Sequence, residues 1–351
     1  MQTRSGIPAV VKGLSTYQNC IDGVEVHVLL IRICVDDSCP PFFDDLKNIK
    51  FSDYIANNRP DFVVFHDFYV YEYAFMAHRL KRMHIPFVLE PHGAFGRQAI
   101  KKSRFKKFIA NYTIFRELIK DSNGFIFTNE GEKNDSAYWK ENVVVIPNGV
   151  EKNAVDDFPQ KKYDTQNAPV FYFMGRYDIN HKGLDYLFDA LDIIDSMGEI
   201  ITVEMYGIGD EKKTAYVHER IGRFRNIKVK DRGTVYFEEK VKALRNANIL
   251  LLTSRYEGSP MTILDALSYG NPCLVTPGTN VADEIVNNHL GWKTKLNAGA
   301  IADCILMAKD EYCKNYASYY ETCRRYVLDN YLWEKIAQRS VEVYKNIAEK
   351  K

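Results

Sequence analysis

The sequence has no long apolar run, no excess of either charge and no paired cysteine spacing. Apolar stretches such as Ile249–Leu252 are far shorter than the roughly 20 residues that a membrane-spanning helix needs, and the first residues lack the apolar core of a signal peptide. The 47 Lys and Arg residues balance 46 Asp and Glu residues, which excludes a generally basic nucleic-acid-binding protein. Seven cysteines without a C-x-x-C pair argue against a disulfide framework and a structural zinc site. These absences predict a soluble cytoplasmic protein with reduced thiols and no nucleic-acid partner.

Length and patterning predict two α/β domains. A chain of 351 residues is long enough for two domains of ordinary size. Short runs rich in Val, Ile and Phe alternate with helical patterns in both halves, which is typical of parallel βαβ units, and two doubly wound domains in tandem would face a central cleft. The predicted strands are Val24–Ile33, Phe62–His66, Phe87–Glu90, Gly124–Thr128, Val143–Ile146, Val170–Met174, Ile201–Tyr206, Ile227–Lys230, Ile249–Thr253 and Cys273–Thr276. The predicted helices include Ala9–Tyr17, Tyr71–Met83, Phe105–Asp121, Leu184–Met197 and Pro260–Tyr269.

A polar segment after residue 150 sets the predicted domain boundaries. Residues 1–150 form the first domain and 170–330 the second, joined by a linker at 151–169 that has no apolar period. Residues 331–351 indicate a charged amphipathic helix, which we expect to pack back toward the first domain. A doubly wound domain usually opens on a buried strand, whereas this chain starts at a turn before its first helix. We therefore expect the first strand of the N-terminal domain to be missing, through a truncated or misassigned start.

One segment combines an anion site with two carboxylates. A strand ends at Thr253, and a helix is predicted to begin near Pro260, because proline is favoured at the first helical position. The unpaired N–H groups and the dipole at such a helix start attract anions. Glu257 and Asp265 flank this point, and carboxylates accept hydrogen bonds from hydroxyl groups. An anion site beside two hydroxyl acceptors predicts binding of a nucleotide sugar.

A second segment places two cations after another strand. Gly175 and Arg176 follow that strand, and Lys182 precedes the next helix. A planar guanidinium and a point charge are typical of a diphosphate site, where they would stabilise charge on a leaving group. Gly207 begins a G-x-G turn that lacks the third glycine of a dinucleotide-binding motif, so we interpret it as a strand-to-helix turn lining the nucleotide pocket.

The order and spacing of these motifs resemble those of retaining glycosyltransferases of family 4, which have the GT-B fold. The features that carry the resemblance are Gly175-Arg176…Lys182-Gly183, Glu257 and Asp265 followed by Gly270-x-Pro272, Ile146–Val150, and Pro91-His92-Gly93. The resemblance runs over nearly the whole chain and is strongest from about Val143 to Val286. Asp265 stands where the family has a glutamate, and Ser5-Gly6 stands where it has a Gly-Gly pair.

The resemblance implies a role for each matching residue. Glu257 would contact sugar hydroxyls, Asp265 would hold the ribose, and His92 would approach the transferred sugar. The implied catalytic residues are Glu257, His92, Arg176 and Lys182. The implied donor-binding residues are Gly6, Gly175, Arg176, Lys182, Gly207, Glu257, Gly258, Ser259, Pro260, Met261, Thr262 and Asp265.

The reaction that the resemblance implies moves a sugar from a UDP- or GDP-sugar to a glycan or lipid-linked glycan, in surface polysaccharide synthesis. It would proceed with retention at the anomeric carbon and without a metal or other cofactor. The chain has no D-x-D carboxylate pair, which counts against a metal-dependent transferase of the other common fold. A non-catalytic nucleotide- or glycan-binding protein and a sugar-nucleotide epimerase of the same fold remain alternatives.

Two further features allow both a functional and a structural interpretation. A basic, partly apolar segment allows either contact with an anionic membrane surface or a solvated helix face. The family resemblance implies contact with a lipid-linked acceptor, at the inner face of the plasma membrane. Its basic residues are Lys101, Lys102, Arg104, Lys106 and Lys107. The pair His66-Asp67 looks catalytic, but adjacent strand residues point to opposite faces, so we interpret it as structural.

Overall fold

The chain folds into two compact units, which are described separately. The first contains Met1–Gly149 together with Tyr331–Lys351, and the second contains Val150–Asn330. Among the helices described, none combines the length and the apolar character that crossing a bilayer demands. The computed structural model describes residues 6–31, 39–46, 49–97, 100, 110–111, 113–138, 140–152 and 168–349.

The first unit is built around a four-stranded parallel sheet. Its strands are β1 (Val28–Leu30), β2 (Phe43–Asp45), β3 (Val63–His66), β4 (Phe87–Glu90), β5 (Gly124–Phe127) and β6 (Val143–Val145). Its helices are α1 (Ile7–Gln18), α2 (Phe51–Asn57), α3 (Tyr71–Arg82), α4 (Ile114–Asp121), α5 (Glu130–Asp135) and α12 (Trp333–Glu349). The sheet has the order β3-β4-β5-β6, and β1 and β2 pair as a separate parallel ribbon.

Aromatic packing forms the core of the first unit. Strands β4 and β5 are buried along their whole length, as the central strands of a parallel sheet are when both faces are covered. The rings of Phe68, Phe95 and Phe115, all fully buried, pack against each other and against the strands. Within the described residues no strand precedes α1, and the order of strands in the four-stranded sheet does not reverse.

The last helix, α12, packs on the first helix, α1. Gly13 and Gly149 both lie against the indole of Trp333, where a Cβ on either glycine would come within 2.5 Å of the ring. Gln18 Nε2 donates a buried hydrogen bond of 2.8 Å to Ser340 Oγ. These contacts explain why the end of the chain belongs to the same unit as its beginning.

The second unit contains a six-stranded parallel sheet. Its strands are β7 (Val170–Met174), β8 (Thr202–Tyr206), β9 (Lys228–Gly233), β10 (Ile249–Leu252), β11 (Cys273–Val275) and β12 (Gly291–Lys293). Its helices are α6 (Leu184–Ser196), α7 (Glu211–Ile221), α8 (Phe237–Asn246), α9 (Met261–Ser268), α10 (Ala282–Asn287) and α11 (Ala298–Asn330).

The strand order of this sheet places a ligand crevice. The order is β12-β11-β10-β7-β8-β9, so the chain winds outward from β7 in one direction and then restarts at β10 in the other. This is the doubly wound arrangement, in which ligands bind outside the carboxyl ends of the two strands at the reversal. The loops that follow β7 and β10 are the two segments that carry the predicted donor-binding motifs.

The predicted α/β class with parallel sheets is confirmed, and most predicted strands match observed ones to within three residues. The exception is Val24–Ile33, of which Val28–Leu30 is strand and the last two residues lie outside the described part. The short strands β2 and β12 were not predicted, since three residues are too few to show an alternating pattern. The predicted linker, except for its ends, and residues 105–109 and 112 of the predicted helix Phe105–Asp121 also lie outside the described residues.

Candidate donor site and histidine cluster

The loops after β7 and β10 are hydrogen-bonded to each other. Thr253 Oγ1, just past β10, lies 3.2 Å from the carbonyl oxygens of both Lys182 and Gly183 and donates to them. Arg255 N donates to the carbonyl oxygen of His181 at 2.9 Å. Because β7 and β10 are neighbours, two motifs far apart in sequence become one site.

Lys182 and Glu257 form an ion pair in this site. Lys182 Nζ lies 2.7 Å from Glu257 Oε1, and the two side chains are 11% and 9% exposed. Ser254 Oγ donates to the same carboxylate oxygen at 2.5 Å. The residue that the resemblance assigns to phosphate therefore contacts the residue assigned to sugar hydroxyls. A cation and a hydroxyl acceptor at one point can contact the diphosphate and the sugar of a single donor molecule.

Three side chains around Glu257 were not singled out from the sequence. The His181 ring stacks on the Tyr256 ring with centroids 4.3 Å apart, and His181 Nε2 lies 3.8 Å from Glu257 Oε2. Asn280 Nδ2 donates to the backbone oxygen of Glu257 at 2.6 Å. Burial lowers the pKa of His181, which favours the neutral ring. For His181 and Tyr256 the signal was adjacency to Lys182 and Glu257, whereas Asn280 comes close only through folding.

The start of α9 supplies the anion-binding end of the site. The helix begins at Met261 after Pro260, and no side chain caps its N-terminus. Gly258, Ser259 and Thr262 are half-buried around this end. An uncapped helix start leaves first-turn N–H groups directed at a ligand, which suits a phosphate.

Asp265, the residue assigned to the ribose, already has a partner. Its Oδ2 lies 2.6 Å from Lys240 Nζ of α8, with the side chains 24% and 33% exposed. The sequence did not indicate this lysine, because α8 and α9 come into contact only in the folded unit. A ribose hydroxyl would share Asp265 with Lys240 or displace it.

Gly175 and Gly207 lie where two strand ends approach closely. Gly175 N donates to the carbonyl oxygen of Tyr206 at 2.9 Å, and a Cβ on Gly207 would lie 2.0 Å from Gly175 O. Glycine is therefore required at 207 by backbone packing. Arg176 follows Gly175 and is exposed, in contrast to the buried Lys182. The two predicted diphosphate cations thus differ in how firmly the fold holds them.

In the first unit, His92 lies in a cluster with His66 and Glu90. His66 Nδ1 and His92 Nε2 are 3.1 Å apart, and the Glu90 carboxylate oxygens lie 3.3 Å from His66 Nδ1 and 3.5 Å from His92 Nε2. Burial raises the pKa of Glu90 to about 8 and lowers that of His66 to about 4. Burial also lowers the pKa of His92, and His66 adds to the effect. From the sequence we interpret His66 as a structural residue. Its ring nevertheless lies against His92, the predicted catalytic histidine, so this interpretation is incomplete.

A second buried carboxylate, Glu132, holds the turn that carries His92. Its Oε1 accepts from Gly93 N at 2.5 Å, and its Oε2 accepts from the Thr128 N–H at 2.9 Å and the Thr128 hydroxyl at 2.5 Å. His92 and Gly93 both have positive φ, +47° and +86°. A left-handed conformation at a histidine is unfavourable, so these hydrogen bonds help to maintain it. No sequence motif pointed to Glu132.

We expect Glu132→Ala to lower the stability of the first unit by about 2–4 kcal/mol, because it leaves buried N–H and hydroxyl donors without an acceptor. Chemical denaturation followed by tryptophan fluorescence measures this, with Trp333 reporting on this unit and Trp292 on the second. Glu130→Ala is the matched control on the same helix, because the Glu130 side chain is 66% exposed and pairs only with Lys133 among the described residues. Equal stability of the two variants would show that Glu132 does not hold the turn.

For Gly6 and the predicted basic patch, the described part of the chain shows no contact that bears on their predicted roles. Gly6 directly precedes α1 with φ of +78°, and a Cβ there would meet no atom within 4 Å. The basic residues of the predicted membrane or acceptor patch, 101–107, lie outside the described residues.

Two family models match the chain, one in each half. The model described as Glycosyltransferase Family 4 matches residues 21–153, and the model described as Glycosyl transferases group 1 matches residues 168–309. The solved structure of sucrose-phosphate synthase from Thermosynechococcus elongatus is similar with a TM-score of 0.73, at 14% identity, over 98% of this chain and 94% of that chain. The fold is therefore GT-B, and the matches in the two halves together support a glycosyltransferase of the family 4 type.

Two further proteins show how far the similarity reaches. The phosphatidyl-myo-inositol mannosyltransferase of Mycobacterium leprae is 25% identical over 210 residues, which are 58% of this chain and 54% of that protein. The match thus spans about half the length of that relative. An Anabaena protein solved in complex with UDP has a TM-score of 0.64 at 15% identity, over 84% of this chain and 82% of that chain.

Proposed function

We propose that this chain is a retaining glycosyltransferase that moves a sugar from a nucleotide-sugar donor to a glycan or lipid-linked glycan. The observation that carries this proposal is the Lys182–Glu257 pair beside the uncapped start of α9, at the strand reversal of the second unit. The two family-model matches and the GT-B fold agree with it.

In the proposed reaction, the chain's residues act mainly on the leaving diphosphate. Lys182, Arg176 and the first-turn N–H groups of α9 stabilise the charge that develops when the bond between the anomeric carbon and the phosphate oxygen breaks. Glu257 holds sugar hydroxyls and Asp265 the ribose. The acceptor hydroxyl oxygen bonds to the anomeric carbon on the face that the diphosphate leaves, and a diphosphate oxygen takes the hydroxyl proton, which gives retention. Cations and helix N–H groups supply the charge stabilisation, so we propose that this step needs no divalent metal.

The proposed donor is a UDP- or GDP-sugar, and the proposed acceptor is carried on a lipid. The similar Anabaena protein was solved with UDP bound, and the mycobacterial relative is named for a lipid, phosphatidyl-myo-inositol. A lipid acceptor would bring the protein to the cytoplasmic face of a membrane and to surface polysaccharide synthesis.

The first test is nucleotide binding. We expect UDP or GDP, but not both equally, to stabilise the chain against thermal unfolding with EDTA present throughout. A ligand at 100 times its Kd adds about 2.7 kcal/mol, which shifts the midpoint by roughly 5–10 °C for a domain of this size. The expected shift disappears in Arg176→Ala and is retained in Arg223→Ala, an exposed arginine of the same unit paired with Glu219.

The outcomes separate the alternatives. A shift by UDP or GDP followed by release of sugar from the matching nucleotide sugar supports a transferase. Binding without any turnover, with acceptor lipid extracts supplied, would indicate a non-catalytic binding protein. No shift by any nucleotide, or a shift that requires Mg²⁺, would contradict the proposed donor site or its metal independence.

A further inference from the structure

The histidine cluster of the first unit lies at the carboxyl ends of two adjacent strands. His66 ends β3 and Glu90 ends β4, and the two are register partners in the parallel ladder. Register partners project from the same face of a sheet, so the imidazole and the carboxylate lie side by side. His92 returns to this point through the positive-φ turn that Glu132 holds. Three side chains with metal-ligating atoms are therefore directed at one point.

The spacing of these atoms is close to that of the ligands around one metal ion. His66 Nδ1 and His92 Nε2 are 3.1 Å apart, and each lies close to a different Glu90 oxygen, His66 Nδ1 3.3 Å from Oε2 and His92 Nε2 3.5 Å from Oε1. Metal bonds of about 2.0–2.1 Å in a tetrahedron give ligand-to-ligand distances of about 3.3 Å. All ligand atoms lie within 4.8 Å of one another. A single cation can therefore contact all three side chains with little movement.

The electrostatics of the cluster also favour a cation. Glu90 is 3% exposed, and within the described chain no lysine or arginine forms an ion pair with it. The other buried carboxylate nearby, Glu132, adds negative charge and uses its own oxygens for Gly93 and Thr128. A buried carboxylate is costly unless it is paired or bound to a metal. Each imidazole directs one ring nitrogen at the Glu90 carboxylate, His66 through Nδ1 and His92 through Nε2, and ring nitrogens are common metal ligands.

We propose that His66, Glu90 and His92 form a binding site for one divalent transition-metal cation of the zinc type. Two imidazole nitrogens and one carboxylate suit Zn²⁺ or a neighbouring first-row ion, whereas Mg²⁺ and Ca²⁺ prefer oxygen ligands throughout. Three protein ligands leave a coordination position open for water or a hydroxyl group. The site belongs to the first unit and does not depend on the donor site proposed for the second.

The cation would also change what His92 can do. With Nε2 on the metal, His92 has only Nδ1 left for the sugar contact that the family resemblance implies. The cation would take over part of the role of Glu132 in holding the turn. The competing explanation is a metal-free cluster in which one proton is shared between the two histidines and Glu90 is protonated.

The test is zinc binding by the full chain, prepared without a histidine tag and stripped with a chelator. We expect calorimetry to show one Zn²⁺ per chain and no comparable binding of Mg²⁺, and Co²⁺ to give visible ligand-field absorption bands. Glu90→Gln and His66→Gln should each weaken Zn²⁺ binding by at least about 100-fold. Loss of a residue that only hydrogen-bonds a metal ligand already lowers metal affinity by about 10- to 100-fold. His78→Gln, an exposed histidine of α3, is the matched control and should bind like the unmodified chain.

Each outcome decides the question. Absence of stoichiometric Zn²⁺ binding, or equal binding by the unmodified chain and both variants, overturns the site and leaves the shared-proton cluster. Circular dichroism of the metal-free variants identifies any that fails to fold, and the other variant then carries the comparison. Stabilisation by UDP or GDP reports on the second unit, so loss of zinc binding with nucleotide binding retained would reject this site alone.

Discussion

Lys182→Ala is expected to reduce the rate of sugar transfer by about 100-fold or more while leaving the fold intact. Lys182 contributes the buried positive charge of the donor site, and loss of one such group in the transition state typically costs this much. The substitution also leaves the Glu257 carboxylate without its ion-pair partner, so the site becomes more negative where the diphosphate must bind. Both the KM for the donor and kcat should therefore worsen.

The control for this experiment is another lysine of the same unit in an ion pair of equal length. Lys309 Nζ lies 2.7 Å from Glu199 Oε2, away from the carboxyl ends of the strands, and Lys309→Ala should transfer sugar at the normal rate. In Lys182→Ala with Glu257→Gln, donor binding should recover in part while kcat stays low, because the repulsion is gone but the cation is not restored. Normal kcat in Lys182→Ala would remove Lys182 from the mechanism.

The second large effect is expected from Gly183→Ala, which should lower the stability of the second unit by about 2–5 kcal/mol. Gly183 has φ of +62°, a conformation that costs an alanine about 1–2 kcal/mol. A Cβ there would also lie 2.1 Å from the carbonyl oxygen of Thr253, and such overpacking costs about 1–3 kcal/mol. Thermal unfolding should show a midpoint lower by roughly 5–15 °C.

Gly198→Ala separates the two causes. Gly198 has φ of +74° in the same unit, but a Cβ there would meet no atom within 4 Å. It should therefore show the conformational cost alone and a midpoint drop of only a few degrees. An equal loss of stability in the two variants would mean that the loops after β7 and β10 can move apart at little cost in free energy. In that case the loops would not hold Lys182 and Glu257 together as tightly as the hydrogen bonds of Thr253 indicate.

Local patterns in the sequence were sufficient for most of the fold. Strands such as Val170–Met174 are continuous apolar runs. A strand that is buried on both faces requires such a run, so it can be recognised from one sequence alone. The short strand Gly291–Lys293 carries no such pattern and was missed. The doubly wound order of the second sheet could be expected from βα alternation, but which strands neighbour each other came from the structure.

The candidate donor site was predictable as a set of residues but not as a set of contacts. Lys182, Glu257 and Asp265 lie in motifs next to predicted strand ends and helix starts. Those neighbouring elements indicate that the three residues belong to a ligand site. That Lys182 pairs with Glu257, and Asp265 with Lys240, depends on which strands and helices become adjacent. The carboxylates that surround His92 stand in no motif at all.

The sequence by itself determined the α/β class, most strand positions and the chemistry of the two loops, because each depends on residues near one another in the chain. The sequence predicted a last helix that returns to the first domain, but only the tertiary structure decided that this helix packs on α1 and that His66, Glu90 and His92 meet. These are contacts between separate strands and helices, and no periodicity within one element records the partner that it will pack against. Burial of the cluster also raises the pKa of Glu90 and lowers that of His92, and residue types alone do not indicate either shift.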